Sequence, residues 1–149
     1  MIAVCGGATT DDPTAELAEA VGYELACAGA TLVCGGLGGV MERACKGAKR
    51  AGGLTVGIIP GTDRTAANDY VDITVASGMA QGRNAVIIHT ADGVIALPGS
   101  FGTLSEIALA LNMGKPVVTI GSWWTIPSVK AYESASEAVR QILESVKAQ

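Results

Sequence analysis

The sequence predicts an α/β fold, namely a Rossmann-like, doubly wound parallel sheet with helices on both faces that together make a three-layer sandwich. Two observations support this prediction. Short apolar runs of strand length alternate with longer amphipathic stretches of helical period, as in parallel sheets that helices cover on both faces. Most of these runs end at glycines, which favour the tight turns between strands and helices. The predicted strands occupy residues 2–5, 30–34, 54–59, 73–76, 93–97 and 117–120.

The helices are predicted from their first residues and from the glycines that end them. Asp12 followed by Pro13 suits the cap and the first helical position of the first helix, and Gly29 ends it. The same pattern, an apolar face that stops at glycine, predicts a helix after the second strand and another that ends at Gly114. The charged and periodic tail, residues 129–146, predicts a closing surface helix.

Composition limits the class of protein. The chain has 149 residues, of which 49% are hydrophobic and 16% charged, so we expect a single domain, residues 1–149, with a sizeable core. A net charge of −4 and the lack of a basic run argue against nucleic acid as a partner.

The start has no basic signal segment, and glycines interrupt the uncharged stretch at residues 25–41, so we expect a cytoplasmic protein without a membrane partner. The cysteines and the lone His89 lack zinc-ligand spacing, so we expect reduced thiols and no metal site.

Three glycine-rich turns are expected to meet at one edge of the sheet, because the loops that follow parallel strands all lie at its carboxyl edge. Backbone N–H groups and helix N-termini at such an edge suit a phosphate, so we expect a small phosphorylated ligand there. The spacing is neither that of the dinucleotide fingerprint nor that of a nucleoside-triphosphatase loop, which has a Lys after its glycines. The candidate ligand-binding residues are Gly6 and Gly7 in the first turn, Gly36, Gly38 and Gly39 in the second, and Pro98, Gly99, Ser100, Gly102 and Thr103 in the third.

Glu106 is the candidate acid–base residue of this edge, since we place it in the first turn of the helix after the third glycine turn. Thr103-x-x-Glu106 is also a capping box, in which Thr caps the helix and Glu reaches back to the N–H of the cap, so a purely structural role stays open. In the functional interpretation, the carboxylate stabilises an oxocarbenium-like ribose and orients or deprotonates a water without a metal.

Other candidate residues carry weaker signals. Arg83 lies on the helix predicted before the fifth strand. It is either a surface residue or a site residue whose planar guanidinium binds a phosphate or the departing base. We interpret His89 as a helix-end residue and Cys5 as a core thiol near the pocket. Trp123 and Trp124 follow the sixth strand, and we favour a core or subunit-interface role for them over a wall that stacks on a base.

The glycine turns and their flanks resemble the LOG (Lonely Guy) family, long labelled lysine decarboxylase-like. The matching motifs are Gly-Gly-Leu-Gly-Gly-Val-Met at residues 35–41 and Pro-Gly-x-x-Gly-Thr-x-x-Glu at residues 98–106, and the resemblance covers nearly the whole chain up to about residue 116. It implies a Rossmann-fold phosphoribohydrolase that cleaves the N-glycosidic bond of nucleoside 5′-monophosphates. It also implies that Arg83 and Glu106 are catalytic, that no cofactor is required, and that the protein is a homodimer or a higher homo-oligomer.

Two departures from the LOG motifs point to a neighbouring branch of the same superfamily. Ser100 stands where LOG enzymes have Gly, and Asn84 stands where they have Lys. These residues and the short length are closer to the branch that includes the molybdenum-cofactor carrier proteins, which bind a phosphorylated pterin. The sequence therefore leaves two functions open. One is hydrolysis of an AMP-like nucleotide, and the other is non-catalytic carriage of molybdenum cofactor or a related phosphorylated ligand.

Overall fold

The structure, a computed structural model, describes residues 1–121 and 124–149, and in that part of the chain it forms a seven-stranded parallel sheet. The strands are β1 Ile2–Cys5, β2 Leu32–Cys34, β3 Thr55–Ile59, β4 Ile73–Ala76, β5 Gly93–Ala96, β6 Val117–Ile120 and β7 Lys130–Tyr132. The helices are α1 Asp12–Cys27, α2 Val40–Arg50, α3 Arg83–Thr90, α4 Phe101–Asn112 and α5 Ala135–Lys147. None of the helices in the described ranges is both long and apolar enough to cross a membrane.

Helices cover both faces of the sheet. Along β1, Ile2 and Val4 pack into the core shared with α1, α2 and α5. The alternate residues Ala3 and Cys5 pack into a second core that includes Ile87 of α3 and residues of α4. Because successive side chains of a strand point to opposite faces, this division shows the two helical layers directly. The predicted doubly wound, three-layer fold is confirmed.

The strand order reverses beside the central strand. Strands follow the order β4-β3-β2-β1-β5-β6-β7, so the chain builds outward from β1 in one direction and returns to β5 to build in the other. β1 and β5 pair in parallel, with Cys5 opposite Ala96 at their carboxyl ends. In open α/β sheets a ligand binds in the crevice at this reversal point.

Two predicted helix boundaries are wrong. The cap of α1 is Asp11, whose carboxylate accepts from Thr14 N at 2.9 Å, so Asp12 is already helical and Pro13 occupies the second position. The closing helix is also shorter than predicted, because residues 130–132 form β7 at the edge of the sheet. Lys130 and Ala131 of this strand are exposed and only Tyr132 is partly buried, so the strand lacks an apolar alternation and periodicity alone assigns it to the helix that follows.

Two glycines inside helices allow α1 and α2 to cross closely. A Cβ on Gly22 would lie 1.9 Å from the Ala44 carbonyl oxygen, and one on Gly47 would lie 1.8 Å from the Glu19 carbonyl oxygen. Both glycines weaken their own helices by about 1 kcal/mol relative to alanine. They are present because backbone meets backbone at this crossing, which holds α2, and with it the second glycine turn, against β1.

Candidate functional site

The three glycine turns meet at the carboxyl edge beside the reversal point. Gly7 N, after β1, donates to Pro98 O, after β5, at 3.0 Å. Val40 N, at the start of α2, donates to Gly7 O at 2.9 Å. These backbone hydrogen bonds fasten the turns to one another, so the N-termini of α2 and α4 are held at the same place.

Glycine is required at two of the closest approaches in this edge. A Cβ on Gly99 would lie 2.0 Å from Thr103 Oγ1 and 2.9 Å from Gly7 N. Gly39 has a φ of +63°, and a Cβ there would lie 2.2 Å from Gly7 O. By contrast, a Cβ on Gly102 would have no neighbour within 4 Å among the described residues, so its lack of a side chain leaves open space beside α4.

A cavity of about 170 Å³ opens between these turns and the start of α3. Seven of the predicted site residues line it, namely Gly6, Gly7, Arg83, Ser100, Gly102, Thr103 and Glu106. An adjoining depression of about 410 Å³ includes Pro98 and Gly99, together with Gly7 and Ser100, which line both. The remaining candidates, Gly36, Gly38 and Gly39, do not line the cavity. Gly36 instead packs against Ile59 and Gly57 of β3.

Arg83 begins α3 and is only 7% exposed, so the alternative of a surface residue is wrong. Its Nη1 donates to Asn84 Oδ1 and its Nη2 donates to the Gly35 carbonyl oxygen at 3.4 Å. Its Nε is buried and has no hydrogen-bond partner among the described residues. A buried donor without a partner is costly, by about 1–3 kcal/mol. Arg83 also lines the cavity, so a ligand acceptor that reached this N–H would remove that cost.

Glu106 lies in the second turn of α4 and not, as predicted, in the first. The N-cap of this helix is Ser100, so Thr103 is itself helical, and the capping-box interpretation is wrong. The Glu106 side chain is instead buried, with 7% exposed, and lines the cavity. The local pattern was misleading because Ser100 and Thr103 are both good cap residues and α4 begins at the earlier one.

The environment of Glu106 keeps its carboxyl group protonated up to near-neutral pH. Burial raises the pKa of Glu106 to about 7, and the attraction of Arg83 and a hydrogen bond from the Cys5 thiol lower it only in part. Burial, followed by the proximity of Glu106, raises the pKa of Cys5 well above its usual value, so this thiol is a neutral donor at physiological pH. Near pH 7 the Glu106 carboxyl is therefore able both to give and to accept a proton.

Sequence reasoning missed seven of the residues that line the cavity, Met41, Gln81 and Asn84 among them. Asn84 is 5% exposed and contacts Arg83 directly, whereas sequence reasoning noted it only as a departure from a motif. Its position next to Arg83 at the start of a short helix is the one local signal that could have found it. In the described ranges no group of three His, Cys, Asp or Glu side chains is placed to hold a metal ion.

The remaining sequence interpretations concern residues farther from the cavity. His89 lies in the last turn of α3, as predicted. The Trp124 ring meets the exposed Phe101 ring edge-to-face, with centroids 6.2 Å apart. Trp123 lies outside the described residues. Cys34 and Cys45 are free, buried thiols whose sulfurs are 3.5 Å apart.

Known proteins resemble the chain over nearly its whole length. The model of the SLOG cluster4 family matches residues 1–148. An uncharacterised protein of Archaeoglobus fulgidus is 41% identical over 144 residues, which are 97% of this chain and 95% of that protein. The cytokinin riboside 5′-monophosphate phosphoribohydrolase of Mycobacterium marinum is 34% identical over 139 residues, which are 87% of this chain and 74% of the relative. The structure of the molybdenum cofactor carrier protein of Chlamydomonas reinhardtii is similar with a TM-score of 0.87 and 31% identity, covering 99% of this chain and 98% of that one.

Proposed function

The chain belongs to the SLOG cluster4 family, and from this premise we propose that it is a phosphoribohydrolase that cleaves the N-glycosidic bond of nucleoside 5′-monophosphates. The observation that carries the proposal is Glu106, a buried carboxyl that lines the cavity and has a pKa of about 7. Its alternative role as a helix cap has been removed, because the cap is Ser100. A buried carboxyl that can exchange a proton near neutral pH, beside a helix N-terminus that suits a phosphate, supports a role in the cleavage of a ribotide.

The phosphate of the substrate would bind at the N-terminus of α4. The first backbone N–H groups of a helix have no partner within it, and together with the helix dipole they attract an anion. Ser100, Gly102 and Thr103 line the cavity at this point, and the Ser100 side chain makes no cap hydrogen bond. The Nε–H of Arg83 would add a charge-assisted donor to a phosphate or ribose oxygen.

Glu106 would act at the anomeric carbon. As the bond from that carbon to the base nitrogen breaks, positive charge develops on the ribose, and the Glu106 carboxylate would stabilise it. The carboxylate would then accept a proton from the water that attacks the same carbon, while the base leaves with its bonding electron pair and takes a proton from solvent. The products are the free base and ribose 5-phosphate, and the proton on Glu106 returns to solvent.

Incubation of the protein with AMP tests this proposal. Chromatography is expected to show adenine and ribose 5-phosphate in equal amounts. Glu106→Gln keeps the size of the side chain but removes its base, so turnover should fall at least about 100-fold while AMP still binds. Asp72→Asn is the matched control, since it changes a carboxylate at the opposite edge of the sheet and should leave turnover intact.

A second candidate function is carriage of a phosphorylated pterin such as molybdenum cofactor. The specific observation in its favour is the likeness to the carrier protein of C. reinhardtii, which extends over nearly the full length of both chains. In that case the same cavity and the adjoining depression would hold the ligand without cleaving it. Tight binding of a pterin monophosphate, with no product from a panel of nucleoside monophosphates, would replace the hydrolase proposal with this one.

A further inference from the structure

We propose that Asn84 is a positioning residue that holds the Arg83 guanidinium in its ligand-binding orientation through a hydrogen-bond chain to the first turn of α4. This inference rests on the proposed function, in which Arg83 contacts the substrate. Asn84 stands where LOG enzymes have a lysine, and its proposed role is to position Arg83.

The chain of hydrogen bonds runs through three side chains. Arg83 Nη1 donates to Asn84 Oδ1, and Asn84 Nδ2 donates to Ser105 Oγ at 3.2 Å. Ser105 Oγ then donates to the Gly102 carbonyl oxygen at 2.6 Å. Asn84 is 5% exposed, so water does not compete freely for these contacts.

An amide side chain meets both hydrogen-bonding requirements at position 84. It accepts from the guanidinium with its oxygen and donates to Ser105 with its nitrogen. An aspartate would accept but not donate, and it would add a negative charge beside Arg83. A lysine would donate but not accept, and it would place two cations side by side.

The hydrogen-bond chain connects the Arg83 guanidinium to Gly102, in the glycine turn at which we place the phosphate. Arg83 and Asn84 begin α3, whereas Gly102 and Ser105 belong to α4, and Gly102 lines the same cavity as Arg83. The Gly35 carbonyl oxygen holds the other terminal nitrogen, Nη2. With both terminal nitrogens engaged in this way, Nε–H remains without a partner among the described residues.

Fixing Arg83 in advance lowers the entropy lost when a ligand binds, because a free arginine side chain has several rotatable bonds. A misplacement of about 1 Å in a positioned group can reduce turnover about 100-fold. Asn84 would therefore affect the reaction through Arg83 and not through contact with the reacting atoms.

A double-mutant cycle on AMP hydrolysis tests this role. Asn84→Leu is expected to lower kcat/KM about 10- to 100-fold, and Ser105→Ala, which leaves the contact between Arg83 and Asn84 in place, should lower it only about 3-fold. Because Asn84 acts through Arg83, adding Asn84→Leu to Arg83→Ala should cause less than a 3-fold further loss. A full additional loss, or an unchanged kcat/KM in Asn84→Leu, would overturn the proposal.

Crystal structures of the wild type and of Asn84→Leu provide a readout that needs neither turnover nor ligand. In the wild type the guanidinium should lie on Asn84 and Gly35, and in the variant it should leave Gly35 or occupy more than one orientation. The same single orientation in both proteins would refute the positioning role. Lack of AMP cleavage by the wild type, combined with the expected displacement in the variant, would refute the hydrolase proposal and leave the positioning of Arg83 standing.

Discussion

Opposite edges of the same sheet each carry a carboxylate near a cation, and the pKa values of the two carboxylates are shifted in opposite directions. At the amino edge, Asp72 lies 2.8 Å from Lys49 Nζ and accepts from Thr55 N at 2.9 Å. Burial raises the pKa of Asp72, but hydrogen bonds from Lys49 and Thr55 lower it by more, so its pKa lies below the usual value. The charged form of Asp72 is therefore favoured by folding.

At the carboxyl edge, Glu106 is more buried and has fewer partners. Arg83 attracts it, but no ion pair joins the two side chains in the described part of the molecule. The pKa of Glu106 is raised to about 7, so folding disfavours its charged form. The carboxylate that stabilises this fold has its charge compensated by a cation and hydrogen bonds, whereas the charge of the carboxylate proposed for catalysis is compensated only in part.

The largest expected effect is a gain of stability on removing the charge of Glu106. The unfolded chain releases this proton at its ordinary pKa of 4.5, whereas the folded protein releases it at about 7. The contribution of Glu106 to stability therefore falls as pH rises from about 4.5 to 7 and is level above 7. The two pKa values differ by about 2.5, and a difference of one is equivalent to about 1.4 kcal/mol. At pH 8, Glu106→Gln should therefore be more stable than the wild type by about 3 kcal/mol, and at pH 4.5 the difference should nearly vanish.

Urea unfolding of both proteins at several pH values measures this difference. Glu106→Gln should lose turnover and gain stability together, which is a trade-off expected of functional groups. Equal stability of the two proteins at pH 8 would show that Glu106 is not held near neutrality by its burial, and the contrast between the two edges would fail.

Removing the charge of Asp72 at the amino edge is expected to change stability by a smaller amount and in the opposite direction. Asp72→Asn removes the charge that Lys49 and Thr55 satisfy, so the variant should be less stable at pH 7 by about 1 kcal/mol. Because the folded pKa of Asp72 is depressed, this contribution is present above the unfolded pKa of 3.8 and is lost as pH falls through the folded value. Urea midpoints at pH 7 and pH 3 check this sign, and a stabilised Asp72→Asn at pH 7 would contradict it.

The fold was predictable because its signals are local. Apolar runs located six strands to within two residues at each end, and the glycines after them located the turns. The strand at 130–132 escaped prediction, because an edge strand of three residues has too few buried positions to show a pattern.

The site was only partly predictable because its contacts join distant parts of the chain. The motif resemblance identified Arg83 and Glu106 as candidates, but their burial depends on the packing of α3 and α4 against the sheet. The contact of Cys5 with Glu106 and the chain from Asn84 to Ser105 likewise join separate elements. The single domain, the homo-oligomer and the cytoplasmic location remain predictions.

The most direct test of the central claim is a crystal structure of Glu106→Gln with AMP, since this variant should bind AMP without cleaving it. The phosphate is expected on the backbone N–H groups of residues 99–103, with Arg83 Nε–H on a phosphate or ribose oxygen and the side chain of residue 106 beside the anomeric carbon. A phosphate at the amino edge of the sheet, or an anomeric carbon beyond contact with residue 106, would contradict the claim.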